Sequence, residues 1–179
     1  MATVVPGANV ALTLRSPTAA GRSTVPVPRT REVLVFEVAS QTYGLPIVDV
    51  LELVRAVTIT PLPNAPAVIE GVVNVRGRVL PVLDVRARFR LPAKALDPSD
   101  HFIVAAAGPR GVILRVDRAT HLARVDEALV QSPQTLGPSA AYVAGVVKLD
   151  DGLVLIHDLT TFLSAAEAAS LDEALSPPD

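Results

Sequence analysis

The sequence predicts a mainly β protein built from two copies of one small five-stranded barrel. Three observations carry that expectation: short Val-, Leu- and Ala-rich runs bounded by turn residues, a self-match about 70 residues apart, and a helical pattern confined to the C-terminal end. The chain has 179 residues, half of them apolar, which suffices for one domain or two closely packed lobes with a common core.

Residues 1–31 come first and differ from the rest. They carry Arg15, Arg22, Arg29 and Arg31 with no acid, and prolines at 6, 17, 26 and 28 break any sustained period. A flexible basic N-terminal tail is expected there, not a secretory signal. The total charge of −2 leaves about −6 on residues 32–179. An acidic body with two tyrosines and no tryptophan is a poor nucleic-acid surface. No apolar run approaches the length that crosses a bilayer.

Residues 33–38 are β-branched and aromatic and end in the polar turn 39–42, so they read as a strand. A second run spans 43–50. Pro61, Pro63 and Pro66 then mark a loop. Beyond it, residues 71–84 align without a gap on residues 145–158. Both stretches open on Gly-Val-Val, turn at a glycine and close on an aspartate, and Phe89 and Phe162 follow them. Residues 36–50 echo 102–117 more loosely. The turns at 74–77 and 150–152 hold residues that tolerate positive φ. Asp84 and Asp158 fall where a strand gives way to a helical turn, an N-cap position. A first barrel is therefore expected over about 32–95 and a second over about 96–160, followed by a helix over 161–175. Ser164 and Glu167 have capping-box spacing, Pro177 stops the helix, and Leu163, Ala166, Ala169 or Ser170, and Leu171 form its weak apolar face.

Catalytic chemistry is hard to find. Cysteine is absent, which removes disulfides, thiolate metal sites and thiol nucleophiles. His101, His121 and His157 are too scattered for a metal cluster. His157 and Asp158 are adjacent, but neighbouring strand residues point to opposite faces, so His157 reads as a packed barrel residue. Asp49, Glu52, Glu70 and Asp84 define no catalytic pair. No enzymatic activity, metal or cofactor is expected; the alternative is a small ligand-binding or hydrolytic barrel around His157.

Arginine is more informative. Arg86, Arg88 and Arg90 read as a solvated helical face. Arg76 sits on a hairpin turn, where a guanidinium can fork onto a partner's carboxylate, or stand as a plain surface group. The aligned position in the second copy is Asp150. The two turns carry opposite charge, so the copies are expected to meet different partners.

Residues 69–86, with Gly71-Val72-Val73-Asn74-Val75-Arg76-Gly77 and Asp84-Val85-Arg86, closely resemble the signature of CheW-like domains. Leu34-Val35-Phe36, Tyr43-Gly44-Leu45-Pro46-Ile47 and Tyr142-Val143-Ala144-Gly145-Val146 resemble other strands of that family, and the likeness runs over about 32–175. It implies two SH3-like barrels around a shared core. It also implies a non-enzymatic, cytoplasmic adaptor, associated with membrane receptor arrays, that couples chemoreceptors to the regulatory domain of a CheA-type histidine kinase. Coupling in a non-flagellar pathway, such as surface motility or second-messenger control, is the alternative output. Carried over residue by residue, Val50, Glu52, Arg76 and Leu122 match receptor-groove positions. Gly71 lies by a kinase contact, and Leu136 is an apolar anchor on the other kinase- or ring-forming surface. No nucleic acid and no membrane insertion are implied; ring assembly with kinase domains is.

Overall fold

Strands from both halves of the chain are buried on two faces and contribute to two cores. The computed structural model describes residues 29–134, 142–150 and 152–176. Its strands are β1 (Thr30–Val38), β2 (Gln41–Pro46), β3 (Val50–Arg55), β4 (Ile69–Val75), β5 (Arg78–Asp84), β6 (His101–Ala107), β7 (Arg110–Val116), β8 (Arg118–Asp126), β9 (Val143–Leu149) and β10 (Gly152–His157). Helix α1 (Val85–Arg88) follows β5, and α2 (Ala165–Leu175) is the last element. Residues 43–50, expected as one run, break at Pro46 into a 3-10 turn, Ile47–Asp49, before β3 begins.

Two five-stranded sheets form, in the orders β8-β1-β2-β10-β9 and β3-β6-β7-β5-β4. The doubled five-stranded architecture is as expected. The division at residue 95 is not. Each sheet takes a hairpin from one half of the chain and the remaining three strands from the other, so neither 32–95 nor 96–160 is a barrel by itself. The two copies have exchanged their first hairpins. Self-comparison finds the copies but cannot say which copy a strand pairs with, because equivalent strands carry the same hydrophobic alternation. The hairpins also fix a better register for the repeat. The two-residue turns join Val38 to Gln41 and Ala107 to Arg110, so Val38 is the counterpart of Ala107 and Val33, not Phe36, that of Phe102.

With that register the cores follow. Val33 and Phe102 face the interiors of their own barrels, Val33 with Val125, Val147, Val154 and Ile156, and Phe102 with Val73, Leu80, Val82, Val104 and Ile113. Their neighbours Leu34 and Ile103 point the other way, into a core shared by both sheets with Phe36, Tyr43, Leu83, Leu114, Leu159, Phe162 and Leu171. Strands buried on both faces need near-continuous apolar runs, which is what residues 33–38 and 102–106 supply. Phe36 is fully buried, and its truncation to Ala would cost about 3–5 kcal/mol.

Each barrel closes at an equivalent place. After β3 the chain returns to β4, where Thr60 and Val72 exchange backbone hydrogen bonds of 3.0 and 2.8 Å; after β8, Gln131 and Val146 do the same at 2.8 and 3.0 Å. This explains the glycine that opens both repeats. A Cβ on Gly71 would collide with the Thr60 carbonyl oxygen, and one on Gly145 would collide with Val130 Cγ1.

The caps form as the spacing predicts: Asp84 accepts from the Ala87 N–H, Asp158 from Thr160, and Ser164 and Glu167 make a reciprocal capping box. On α2 the covered face is Glu167, Ala168, Leu171 and Ala174, while Ala166, Ala169 and Ser170 are exposed. Of the three arginines expected on a solvated face, Arg90 is exposed but Arg86 and Arg88 are not. Arg86 binds Asp117 at 2.6 Å and Arg88 binds Glu167 at 2.8 Å, each with a side chain 11% exposed. Helix α1 is too short to hold a free face once its one turn packs against the second half of the chain.

Candidate functional site

The second sheet has β3 and β4 at its edges, and the segment that follows β3 pairs with β4 through Thr60 and Val72. At the other end the seam is spanned by side chains. The two-residue turn between β4 and β5 places both Arg76 and Gly77 at positive φ, 51° and 83°, the geometry of a tight twisted hairpin. Asn74 supports it by accepting the Gly77 N–H at 2.8 Å. From this turn the Arg76 Nη2 donates to Glu52 Oε1 on β3 at 2.6 Å. Arg76 keeps 80% of its side chain exposed, against 27% for Glu52. The pair thus closes the seam while presenting a guanidinium to solvent.

The structure therefore brings together Glu52 and Arg76, two of the four residues expected at the receptor groove. Val50 lies two residues before Glu52, half-buried against the shared core. Leu122 is on β8, the edge strand of the other sheet, and is 55% exposed. The two edge strands carry a matching bulge, with one extra residue each, Leu51 on β3 and Thr120 on β8. Counting from those bulges, Leu53 is the counterpart of Leu122 and His121 that of Glu52. The β8-β1-β2-β10-β9 barrel thus bears His121 and Asp150 where the other bears Glu52 and Arg76, so an acid stands at its hairpin turn in place of an arginine and a histidine on its edge strand in place of an acid. Among the described residues no ion pair joins His121 to Asp150. Leu53 and His121 escape the sequence reading because a bulge shifts register by one residue and leaves no mark in a gap-free alignment.

Gly71 is buried beneath the Thr60 closure. Any partner surface there is set by how closely the strands approach, since the glycine has no side chain to offer. Leu136 lies outside the described residues. The chain re-enters the structure after it at Tyr142, which is held on three sides. Its carbonyl accepts from the Asp158 N–H and lies 2.8 Å from His157 Nδ1, and its hydroxyl accepts from Arg88 at 3.1 Å. The Arg88 guanidinium also sits 5.1 Å above the Tyr142 ring.

His157 is buried among Tyr43, Phe89 and Phe162 at ring distances of 5.4, 4.6 and 5.6 Å. Burial pushes its imidazole down to about 4, against the opposing pull of the Tyr142 carbonyl. It is a neutral core residue whose Nδ1–H donates to that carbonyl, and it has no access to a substrate. Among the described residues, no group of three or more His, Asp or Glu side chains is placed to hold a metal ion. Asp117 is a structural hub: Arg86, Lys94 and the Ala39 N–H all bind its carboxylate, which lies at about 2 despite partial burial. What the exposed edges offer is recognition by shape and charge.

Residues 32–167 match the family model of the CheW-like domain. The chain is 27% identical over 146 residues to the chemotaxis protein CheW of Treponema pallidum, covering 78% of this chain and 86% of that one. It is 36% identical over 120 residues to the protein FrzA of Myxococcus xanthus, covering 66% and 74% respectively. Among solved structures, the scaffolding protein TtCheW of Thermoanaerobacter tengcongensis superposes with a TM-score of 0.71 at 30% identity, covering 79% of this chain and 96% of that one.

Proposed function

This chain belongs to the CheW-like domain family and is a non-enzymatic scaffold of chemotaxis coupling, and we propose that it joins the cytoplasmic tips of chemoreceptors to the regulatory domain of a CheA-type histidine kinase. The observation that carries the receptor side is the Glu52–Arg76 pair, an exposed guanidinium held on a rigid turn at the family's signature hairpin. A partner carboxylate can share that guanidinium without the barrel having to reorganise, because the turn is already fixed by Asn74. Val50 and Leu122 supply apolar area on the two edge strands.

The kinase side is assigned to the surface around Gly71 and to the segment that carries Leu136. Two barrels of one fold whose hairpin turns carry opposite charge, Arg76 and Asp150, suit a coupler that meets unlike partners, including kinase domains in a ring. Location at membrane-bound receptor arrays in the cytoplasm completes the reading; no helix among the described residues is long and apolar enough to cross a membrane.

The test is capture of the purified chain on an immobilised receptor cytoplasmic fragment and, separately, on the kinase regulatory domain. Binding to both supports the reading. Capture by neither, with the fold confirmed by circular dichroism, contradicts it.

A further inference from the structure

A cleft of about 700 Å³ opens at the end of the first sheet where β1 begins and β8 ends, and neither Glu52 nor Arg76 lines it. It is lined by Arg31 and Glu32 at the start of β1, by the turn Ile47–Asp49, and by Arg124 and Glu127 at the end of β8. Of its charges, Arg124 is engaged with Glu32 at 3.3 Å, and Arg31 forms no ion pair among the described residues. Asp49 and Glu127 form no ion pair among the described residues, and Asp49 lies near a second acid, Asp158, which with burial raises its carboxyl above the usual range. Two large apolar side chains stand uncovered in or next to this cleft. Val48, in the wall, is 83% exposed, and Leu129, outside the lining but on the same turn as Glu127, is 64% exposed. The lining holds three acids, Glu32, Asp49 and Glu127, against two arginines, Arg31 and Arg124, and a concave, net acidic surface beside bare apolar groups is an incomplete interface.

The chain itself supplies a fitting occupant. Residues 1–28 lead directly to this rim, where the Arg29 carbonyl accepts the Glu127 N–H at 2.8 Å. They contain Arg15 and Arg22 with no acid, and apolar residues at Val4, Val5, Val10, Leu12 and Leu14. At about 3.3–3.6 Å per residue, the seven residues from Arg22 to Arg29 span up to about 25 Å from the rim. Tethering also raises the local concentration of the segment to roughly the millimolar range, so even a weak contact would be occupied.

We infer that residues 1–28 dock in this cleft, with Arg15 or Arg22 against Asp49 and Glu127 and the apolar residues over Val48 and Leu129. The surface is independent of the receptor and kinase assignments, and its test involves neither partner.

The absence of cysteine makes the full-length chain well suited to a single spin label. A nitroxide on Ala11→Cys would be used, with amide signals read by NMR. The expected result is selective loss of intensity at Ile47, Val48, Asp49, Ala128 and Leu129. Those signals should recover in the Arg15→Glu/Arg22→Glu variant and at high salt. Broadening that merely decays with distance from Arg29, or that concentrates on another surface, overturns the inference. So does a cleft pattern that charge reversal leaves unchanged.

Discussion

Arg76 Nη2 and Glu52 Oε1, 2.6 Å apart, join the hairpin turn of β4 and β5 to the edge strand β3. The contact is exposed, so it contributes only about 0–1 kcal/mol to stability. Arg76→Glu should leave the melting temperature nearly unchanged while cutting receptor capture at least tenfold. The exchanged variant Glu52→Arg/Arg76→Glu restores an attractive pair and separates two roles. If Arg76 contacts the receptor directly, binding stays low; recovered binding would show that only the latch matters.

Gly71 marks a different kind of constraint. Its φ is 154°, and a side chain at this position would run into the Thr60 backbone and the Ile59 side chain. Gly71→Ala should destabilise the fold by about 1–3 kcal/mol, measured by urea unfolding, whereas Gly77→Ala, with open space around it, should cost less. Kinase capture by folded Gly71→Ala then reports on the surface itself: retained binding would remove Gly71 from the kinase side.

His157 gives a pH dependence of definite sign. The unfolded imidazole titrates near 6.5 and the folded one at about 4. Below 6.5 the unfolded chain therefore binds a proton that the folded chain refuses. Stability is unaffected above that pH and falls by about 3 kcal/mol as the pH drops from 6.5 to 4. His157→Leu, which copies Leu83 of the other repeat, should flatten this part of the stability–pH curve. An unchanged slope would mean that other groups cause the loss.

Asp117 acts lower on the pH scale. Hydrogen bonds from Arg86, the Ala39 N–H and Lys94 hold its carboxyl at about 2 against the effect of burial. Its contribution is present above the ordinary carboxylate range and is lost as the pH falls through about 2. Asp117→Asn should cost roughly 1–2 kcal/mol at pH 7 and loosen the crossing between β7 and β8. Thermal melts at pH 7 check the magnitude.

The repeat is legible in the sequence because two stretches share turn glycines, closing aspartates and strand period, all of which are local properties. The exchange of hairpins between copies is not, since Val33 and Phe102 satisfy the same pattern in either pairing. Glu52 and Arg76 can each be placed from family likeness, but nothing in their spacing of 24 residues foretells the ion pair. Arg86 and Arg88 mislead for the same reason. Their partners Asp117 and Glu167 are 31 and 79 residues away, beyond any helical periodicity. His157 is read correctly because its aligned position holds a leucine.

The coupling role is tested most directly by reconstituting a CheA-type kinase and a receptor fragment with and without this chain, and following kinase autophosphorylation. A large rise in kinase activity is expected only when receptor, kinase and this chain are all present, with loss of that rise in Arg76→Glu. Kinase activity that ignores the folded wild-type chain, despite a competent receptor and kinase, would contradict it.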